Sequence, residues 1–583
     1  MQRRPRPEPV LMTAIRRRFR TSEAWFILLA VAVGVAAGSL ASLLSGIAHW
    51  LQESLFGFSG SAHLSAMPKI PVYRLLALPA GGAALSLFAM LIRRRRRTPV
   101  DVVEANALHG GRIPFGDSVT VSTETLLSNG SGASVGLEAA YAQIGGGVAS
   151  VMGQWLHLRR TDLRTLVGAG AGAAIGAAFG APLTGAFYAF EIVIGAYTPA
   201  AIAPVAAAAL AAVVTARTLG TVPYLIAASS SEDIHTIHYF VYAGFGLLCG
   251  LAGIAVMRLV TVLEAIVRAS RIPDHLRPII GGLLLMPIAW ISPQALSAGH
   301  GALHLDLAGQ ATVGLLLSIF ALKILASAVS LGFGFRGGLF FASLFLGTLL
   351  GRAFALMLAQ APWIAPVPDT DAALVGMAAL AVAVVGGPMT MSLLVLEATH
   401  DFALSTTVLA AALCSSAVVR ERFGYSFSTW RLHLRGETVR SARDVGWIEA
   451  LTVGQMMREK PPTIPSTRTI ADFRRAFPLG STSRVVVIDV PARYVGIVTT
   501  ADAWREALDP EAMIGSAAIL RDATLTPEMN IAAVMRAFDE HEADEMAVVG
   551  PERRLLGLVT ERHVRRRYAE ELEKSQRELF GEI

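Results

Sequence analysis

Apolar residues run through this chain in long blocks from residue 24 to about 430, then give way to a shorter, mixed pattern. Segments of spanning length recur near 24–54, 73–92, 164–194, 198–216, 236–268, 276–291, 311–331, 338–360, 371–399 and 402–420. Such segments predict bilayer-crossing helices, because a helix satisfies its own backbone polar groups where no water can. Glycine and proline interrupt the pattern at GSGASVG (130–136), FGAPLTG (179–185), GFGFRGG (332–338) and VGGPMT (385–390). At membrane depth a break of this kind is tolerated only where the freed backbone is buried in protein or lines a cavity. After residue 450 the pattern changes to an amphipathic helix, a short β-rich run, a further strand ending in GIVT or GLVT and a closing helix, repeated once.

The 583 residues are 53% hydrophobic and only 16% charged, which fits a polytopic membrane protein carrying a soluble C-terminal part. The formal charge of +6 is concentrated in arginine clusters at 16–20 and 93–97. Beside apolar spans such clusters mark cytoplasmic loops and argue against a nucleic-acid partner. The run from Trp25 to Leu51 is too long for the core of a cleavable signal peptide. It is expected to be the first membrane helix, entered from a cytoplasmic basic N-terminus at 1–23, with the cell membrane as its location. Cys249 and Cys414 both lie in apolar runs, which suggests neither a disulfide framework nor a metal site.

The membrane part repeats internally. PLTGAFYAFE (182–191) matches PMTMSLLVLE (388–397) at an offset of 206, and GLEAAYAQIG (136–145) matches GLFFASLFLG (338–347) at 202. Two independent landmarks with nearly equal offsets predict homologous halves at about 70–215 and 270–420. Corresponding broken helices place a binding site near the mid-membrane, where the breaks meet. Each Gly-rich break leads into a new apolar helix and so aims a helix N-terminus into the protein. Free N–H groups and the positive end of the helix dipole favour anions there, so the expected substrate is a small inorganic anion.

Glu138 stands two residues after Gly136, in the first turn of such a helix. A charge at that depth costs roughly 2.5 kcal/mol or more and marks a functional candidate. A carboxylate tethered beside an anion site can occupy that site and leave it when protonated, acting as gate and proton carrier. Glu191 and Glu397, closing the matched Pro-Thr-Glu segments, read as structural carboxylates that bond backbone at a break. No helix carries a metal-spaced His/Glu set and no nucleophile motif is convincing, so an enzyme is not expected.

Together GSGASVGLEAAYAQIG, GFGFRGGLFFASLFLG, FGAPLTGAFYAFE and VGGPMTMSLLVLE resemble the CLC family of chloride channels and proton-coupled chloride antiporters, over nearly all of 24–435. The resemblance implies an all-α polytopic membrane domain at 24–435 built from two inverted-topology repeats with broken helices. It implies a homodimer with one pathway per subunit, Glu138 as the gate, and anion-binding positions at Gly136, Ala139, Leu339 and Phe340. The sequence also departs from the family pattern. RRRTPVD puts Arg97 at or near the usual serine ligand, Ser428 in GYSFSTWRL aligns best with the family tyrosine while Tyr425 or Phe427 would require a shift, and Ile192 stands where antiporters carry an internal proton-transfer glutamate. The apolar Ile192 favours passive, channel-like conduction over strict antiport. A proton-coupled chloride or fluoride antiporter is the alternative, and a non-conducting sensor with the same fold is a reading of another class.

In the C-terminal part IADFRRAF (470–477) and IAAVMRAF (531–538) are offset by 61, as are GIVT (496–499) and GLVT (557–560). This resembles a small α/β CBS pair, expected at 453–508 and 509–583 after a linker at 436–452, on the cytoplasmic side. The resemblance implies a possible adenine nucleotide held through Thr499, Asp502 and Thr560, with His563 replacing the acid of the second copy. No cofactor is required for transport.

Overall fold

The computed structural model describes residues 18–19, 22–60, 62–92, 99–221, 234–308, 311–360, 367–434 and 452–567. The chain forms two compact units, Met1–Asp444 and Val445–Ile583. The expected linker at 436–452 lies outside the described residues apart from Thr452, as does most of the expected N-terminal segment 1–23.

The first unit is helical. It opens on α1 (Glu23–Phe56), and the first half follows as α2 (Ala77–Ile92), α3 (Val102–Leu108), α4 (Phe115–Gly130), α5 (Glu138–Trp155), α6 (Arg160–Phe179), α7 (Pro182–Tyr188) and α8 (Pro199–Thr218). After α9 (Thr236–Ala269) the second half runs through α10 (Arg277–Ile291), α11 (His300–Ala308), α12 (Val313–Gly332), α13 (Phe340–Leu358), α14 (Asp369–Val385), α15 (Pro388–Thr399), α16 (Phe402–Arg422) and the short α17 (Phe427–His433). Seven of the described helices are long and apolar enough to cross a membrane.

Two of the expected spans are broken where glycine and proline meet. The block 164–194 divides at Gly180, which takes φ 68° and closes α6 before Pro182 opens α7. The block 371–399 divides at Gly386 and Gly387, with φ 91° and 74°, before Pro388 opens α15. Proline serves at a helix start because it has no N–H to leave unsatisfied and its φ is already helical. The pattern reading did not place α3 and α4 among the spans, because their serine, threonine, aspartate and asparagine residues interrupt the apolar run. In the fold those polar residues are buried: Ser118, Thr125, Ser128 and Asn129 are each no more than 2% exposed.

The two halves match in their packing as well as in sequence. A β-carbon on Gly145 would lie 2.2 Å from the Gly170 carbonyl oxygen, and one on Gly347 would lie 2.2 Å from that of Gly376. At both places the backbones of consecutive helices (α5 with α6, α13 with α14) touch, and only glycine allows it.

The Pro-Thr-Glu segments are joined crosswise. Glu191 accepts hydrogen bonds from the N–H groups of Met389 (3.2 Å) and Thr390 (2.8 Å) and from the Thr390 hydroxyl (2.7 Å). Glu397 accepts from the N–H groups of Leu183 and Thr184, both 2.8 Å, and from the Thr184 hydroxyl at 2.6 Å. Each half thus caps the first turn of the other half's short helix, satisfying N–H groups that have no intrahelical acceptor.

The second unit holds two copies of one motif. In the first, β1 (Thr463–Pro465) pairs parallel with β2 (Arg484–Asp489), which pairs antiparallel with β3 (Arg493–Thr499). In the second, β4 (Thr524–Leu525), β5 (Glu545–Val549) and β6 (Leu555–Thr560) repeat the arrangement. The helices α18 (Ile470–Ala476) and α19 (Ile531–His541) start alike. The Thr469 hydroxyl accepts from Asp472 N–H at 3.1 Å, and the Asn530 side chain accepts from Ala533 N–H at 3.0 Å. Ile470 and Phe473 of the first copy are buried as Ile531 and Val534 are in the second, which is the 61-residue repeat expressed as packing.

Candidate anion site

The breaks before α5 and α13 meet face to face. Gly136 N–H donates to the Gly338 carbonyl at 2.9 Å and Gly338 N–H donates to that of Gly136 at 3.2 Å, so equivalent glycines of the two repeats form one reciprocal pair. Two residues on, Glu138 and Phe340 are the first residues of their helices. Two helix N-termini therefore converge on the same point. The space that a β-carbon on Gly338 would fill lies 3.3 Å from Glu138 Oε2, 3.7 Å from Ala139 N and 3.8 Å from Phe340 N.

Glu138 is 4% exposed. Its Oε1 accepts from Phe341 N–H at 3.2 Å, across from its own helix, while Oε2 is buried without a hydrogen-bond partner. A carboxylate so placed uses a donor that a free anion at the α13 N-terminus would otherwise use. Space for it depends on the missing side chain at 136, since a β-carbon there would come within 1.9 Å of Oε2. A Gly136→Ala substitution is therefore expected to drive the Glu138 carboxylate off its seat, raising anion efflux at neutral pH severalfold while efflux at acidic pH changes little. Liposome efflux at the two pH values checks this, and an unchanged neutral rate would count against the seat.

A cavity of about 120 Å³ opens beside the carboxylate, lined by Glu138, Ala139, Leu339, Phe340 and Ser428 among others. Ile192 also lines it, so an apolar wall stands at the position noted for an internal acid. Of the other residues singled out from sequence, Gly136 contributes the reciprocal bridge, and Arg97 lies outside the described residues.

Several charged groups near the site escaped the sequence reading. Asp101 lines the cavity and caps α3, its Oδ1 accepting from Val103 N–H at 2.9 Å. Arg336 and Arg431 line it as well. The Arg336 guanidinium is 3.0 Å from Glu124, and the backbone N–H of Arg336 donates to the Ser128 hydroxyl at 2.9 Å. Arg336 was visible inside GFGFRGG, but nothing in the sequence paired it with an acid of the first half. Lys323 is fully buried on α12 and donates to the carbonyls of Ser297 (2.7 Å) and Ala295 (3.2 Å). It is the one charged residue in the apolar run 311–331, a signal legible in the sequence.

The Thr499–Asp502 pair of the second unit is made: the Thr499 hydroxyl donates to the Asp502 carboxylate, which also pairs with Arg505 at 2.7 Å. In the second copy the Thr560 hydroxyl accepts from His563 N–H at 3.2 Å.

The sequence model described as voltage gated chloride channel matches residues 81–420. The chain belongs to that family. The CBS domain model matches twice, at 453–503 and 517–570, so the chain is a CLC protein with a C-terminal CBS pair. It is 32% identical over 351 residues to a putative chloride channel protein, ClcB-like, of Ralstonia nicotianae, covering 58% of this chain and 81% of the relative. With the voltage-gated ClC-type chloride channel ClcB of Citrobacter koseri it shares 27% identity, over 68% of this chain and 95% of that one. In fold it resembles a slow cyanobacterial Cl⁻/H⁺ antiporter (TM-score 0.59, 22% identity, 70% of this chain and 97% of that one). It also resembles a CLC-type fluoride/proton antiporter (TM-score 0.58, 20% identity, 71% and 98%). The family, the two inverted repeats and the apolar helices make this a multi-pass membrane protein of CLC-type anion transport.

Proposed function

We propose that this CLC protein moves a small anion, chloride first among candidates, through the cavity beside Glu138, and that the Glu138 carboxylate is its gate. The supporting observation is the hydrogen bond from Phe341 N–H to Glu138 Oε1 at the meeting point of two helix N-termini. Ala139 and Phe340 present backbone nitrogen at the same place and Leu339 and Ser428 contribute wall, whereas a role for Arg97 rests on its sequence position alone. Ionised, the carboxylate competes with the anion for N–H donors. Protonated, it loses that attraction and releases the seat.

Passive conduction is the reading preferred over strict exchange, because Ile192 offers no group to pass a proton on from the cavity wall. Fold likeness to chloride/proton and fluoride/proton antiporters makes proton-coupled transport the second reading. Anion efflux from liposomes with and without a pH gradient separates them. Passive conduction predicts that a pH gradient alone drives no uphill anion movement. Uphill movement would establish exchange, and no efflux above empty vesicles across several anions would remove transport altogether.

The N-terminus and the CBS pair are assigned to the cytoplasmic side, and the protein is assigned as a homodimer with one pathway per subunit. Thr499 and Asp502 are the candidate ribose contacts for an adenine nucleotide, with Thr560 the matching hydroxyl of the second copy.

A further inference from the structure

A second cavity, of about 540 Å³, is lined by His49, His63, His300, Gln52, Asn129 and Ser297 among others, and borders Leu137 at the start of α5. Its residues come from α1, from the connection after it, from α4, from the turn that closes α8 (219–221) and from the segment leading into α11 with its first residue, His300. On the N-terminus-in assignment it faces outward, since it borders the later turns of α1. The imidazoles form a file across it, with ring centres 5.8 Å apart for His49 and His63 and 6.2 Å for His63 and His300. His300 in turn lies with its ring centre 3.7 Å from that of Phe341, whose N–H holds the Glu138 carboxylate.

The electrostatics of the wall are one-sided. Among the described residues that line this cavity there is no aspartate or glutamate. Ser297 ties its polar floor together, its hydroxyl accepting from Gln52 at 3.0 Å and Asn129 at 3.2 Å while its carbonyl accepts from Lys323. A buried ammonium therefore stands directly behind the wall. Burial first, and then the neighbouring imidazoles His49 and His304, hold the His63 ring below its ordinary range; burial, His63, Lys323 on α12 and His304 on α11 hold His300 well below it, so neither ring gains a proton without a compensating negative charge, and Glu138 on α5 acts on Lys323.

We propose that this cavity is a second binding site for the transported small anion, an outer antechamber in which the histidines bind it as imidazolium donors. The inference rests on the anion-transport reading. Neighbouring imidazoles 6 Å apart beside an ammonium repel when charged, so each added proton is stabilised by a bound anion and each bound anion favours a proton. Anion binding at this site is thus linked to proton uptake independently of Glu138.

The test is chloride titration calorimetry on the purified full chain carrying Glu138→Gln, at pH 7.5 and 5.5 and in two buffers of different ionisation enthalpy. Chloride affinity is expected to tighten about fivefold or more on acidification, with net proton uptake on binding. Adding His49→Gln and His63→Gln is expected to reduce the pH response to under twofold. A pH-independent affinity without proton uptake in the Glu138→Gln protein overturns the proposal, and that readout needs no histidine variant to fold. A pH response that survives the double substitution also overturns it. If instead Glu138→Gln leaves the efflux pH profile unchanged while the histidine substitutions flatten it, the gate assignment fails and the antechamber stands.

Discussion

Glu138→Gln is expected to flatten the pH profile of anion efflux, with the variant conducting at neutral pH near the rate the native protein reaches only in acid. The sign follows from the geometry. The ionised carboxylate takes the Phe341 N–H that an anion would take, so native efflux rises as pH falls and the seat empties. A single titrating group allows at most about a tenfold change per pH unit, and the glutamine removes that component without altering side-chain length. Any remaining pH response should be the shallower one assigned to the histidine cavity. The measurement is chloride efflux from liposomes between pH 4.5 and 7.5, and a variant with the native profile would remove Glu138 from the gate.

The second large effect concerns stability. Glu397→Ala removes the acceptor of two backbone N–H groups and one hydroxyl at the start of α7, and Glu191→Ala does the same at the start of α15. Bonds to a charged acceptor that is half-buried between the two repeats are worth more than a surface cap, and each loss is expected to cost about 2–4 kcal/mol. Thermal melting in detergent should fall by several degrees for either variant. Glutamine should recover part of the loss, because its amide oxygen still accepts. Equal melting of native and alanine proteins would show that the crosswise caps contribute nothing. Because the two carboxylates serve equivalent places, the two losses should be similar in size, a further check on the repeat.

Much of the membrane architecture was legible because apolar length and glycine-proline breaks report directly on helices in a bilayer. The offset of about 200 residues between GLEAAYAQIG and GLFFASLFLG was enough to pair Glu138 with Phe340 as equivalent helix starts. The structural reading of Glu191 and Glu397 came from the same repeat, although nothing in it said that each would serve the opposite half. Polar helices were the weak point. The stretch 115–130 carries Asp117, Ser118, Thr125 and Asn129, and its burial depends on partners far away in the chain, such as Gln52 and Ser297.

The sequence by itself determined the class of molecule, the two repeats, the CBS pair and the position of Glu138 at a helix start, since each is written in a local pattern or in an internal match. Only the tertiary structure decided what meets that carboxylate: the N–H of Phe341 and the glycine bridge from 136 to 338, with the buried Lys323 close enough to act on it electrostatically. It also decided that His49, His63 and His300 share one cavity. The reason is physical. Local pattern sets whether a segment is helical and apolar, whereas electrostatic and hydrogen-bond partners some 200 residues apart meet only when the two halves pack.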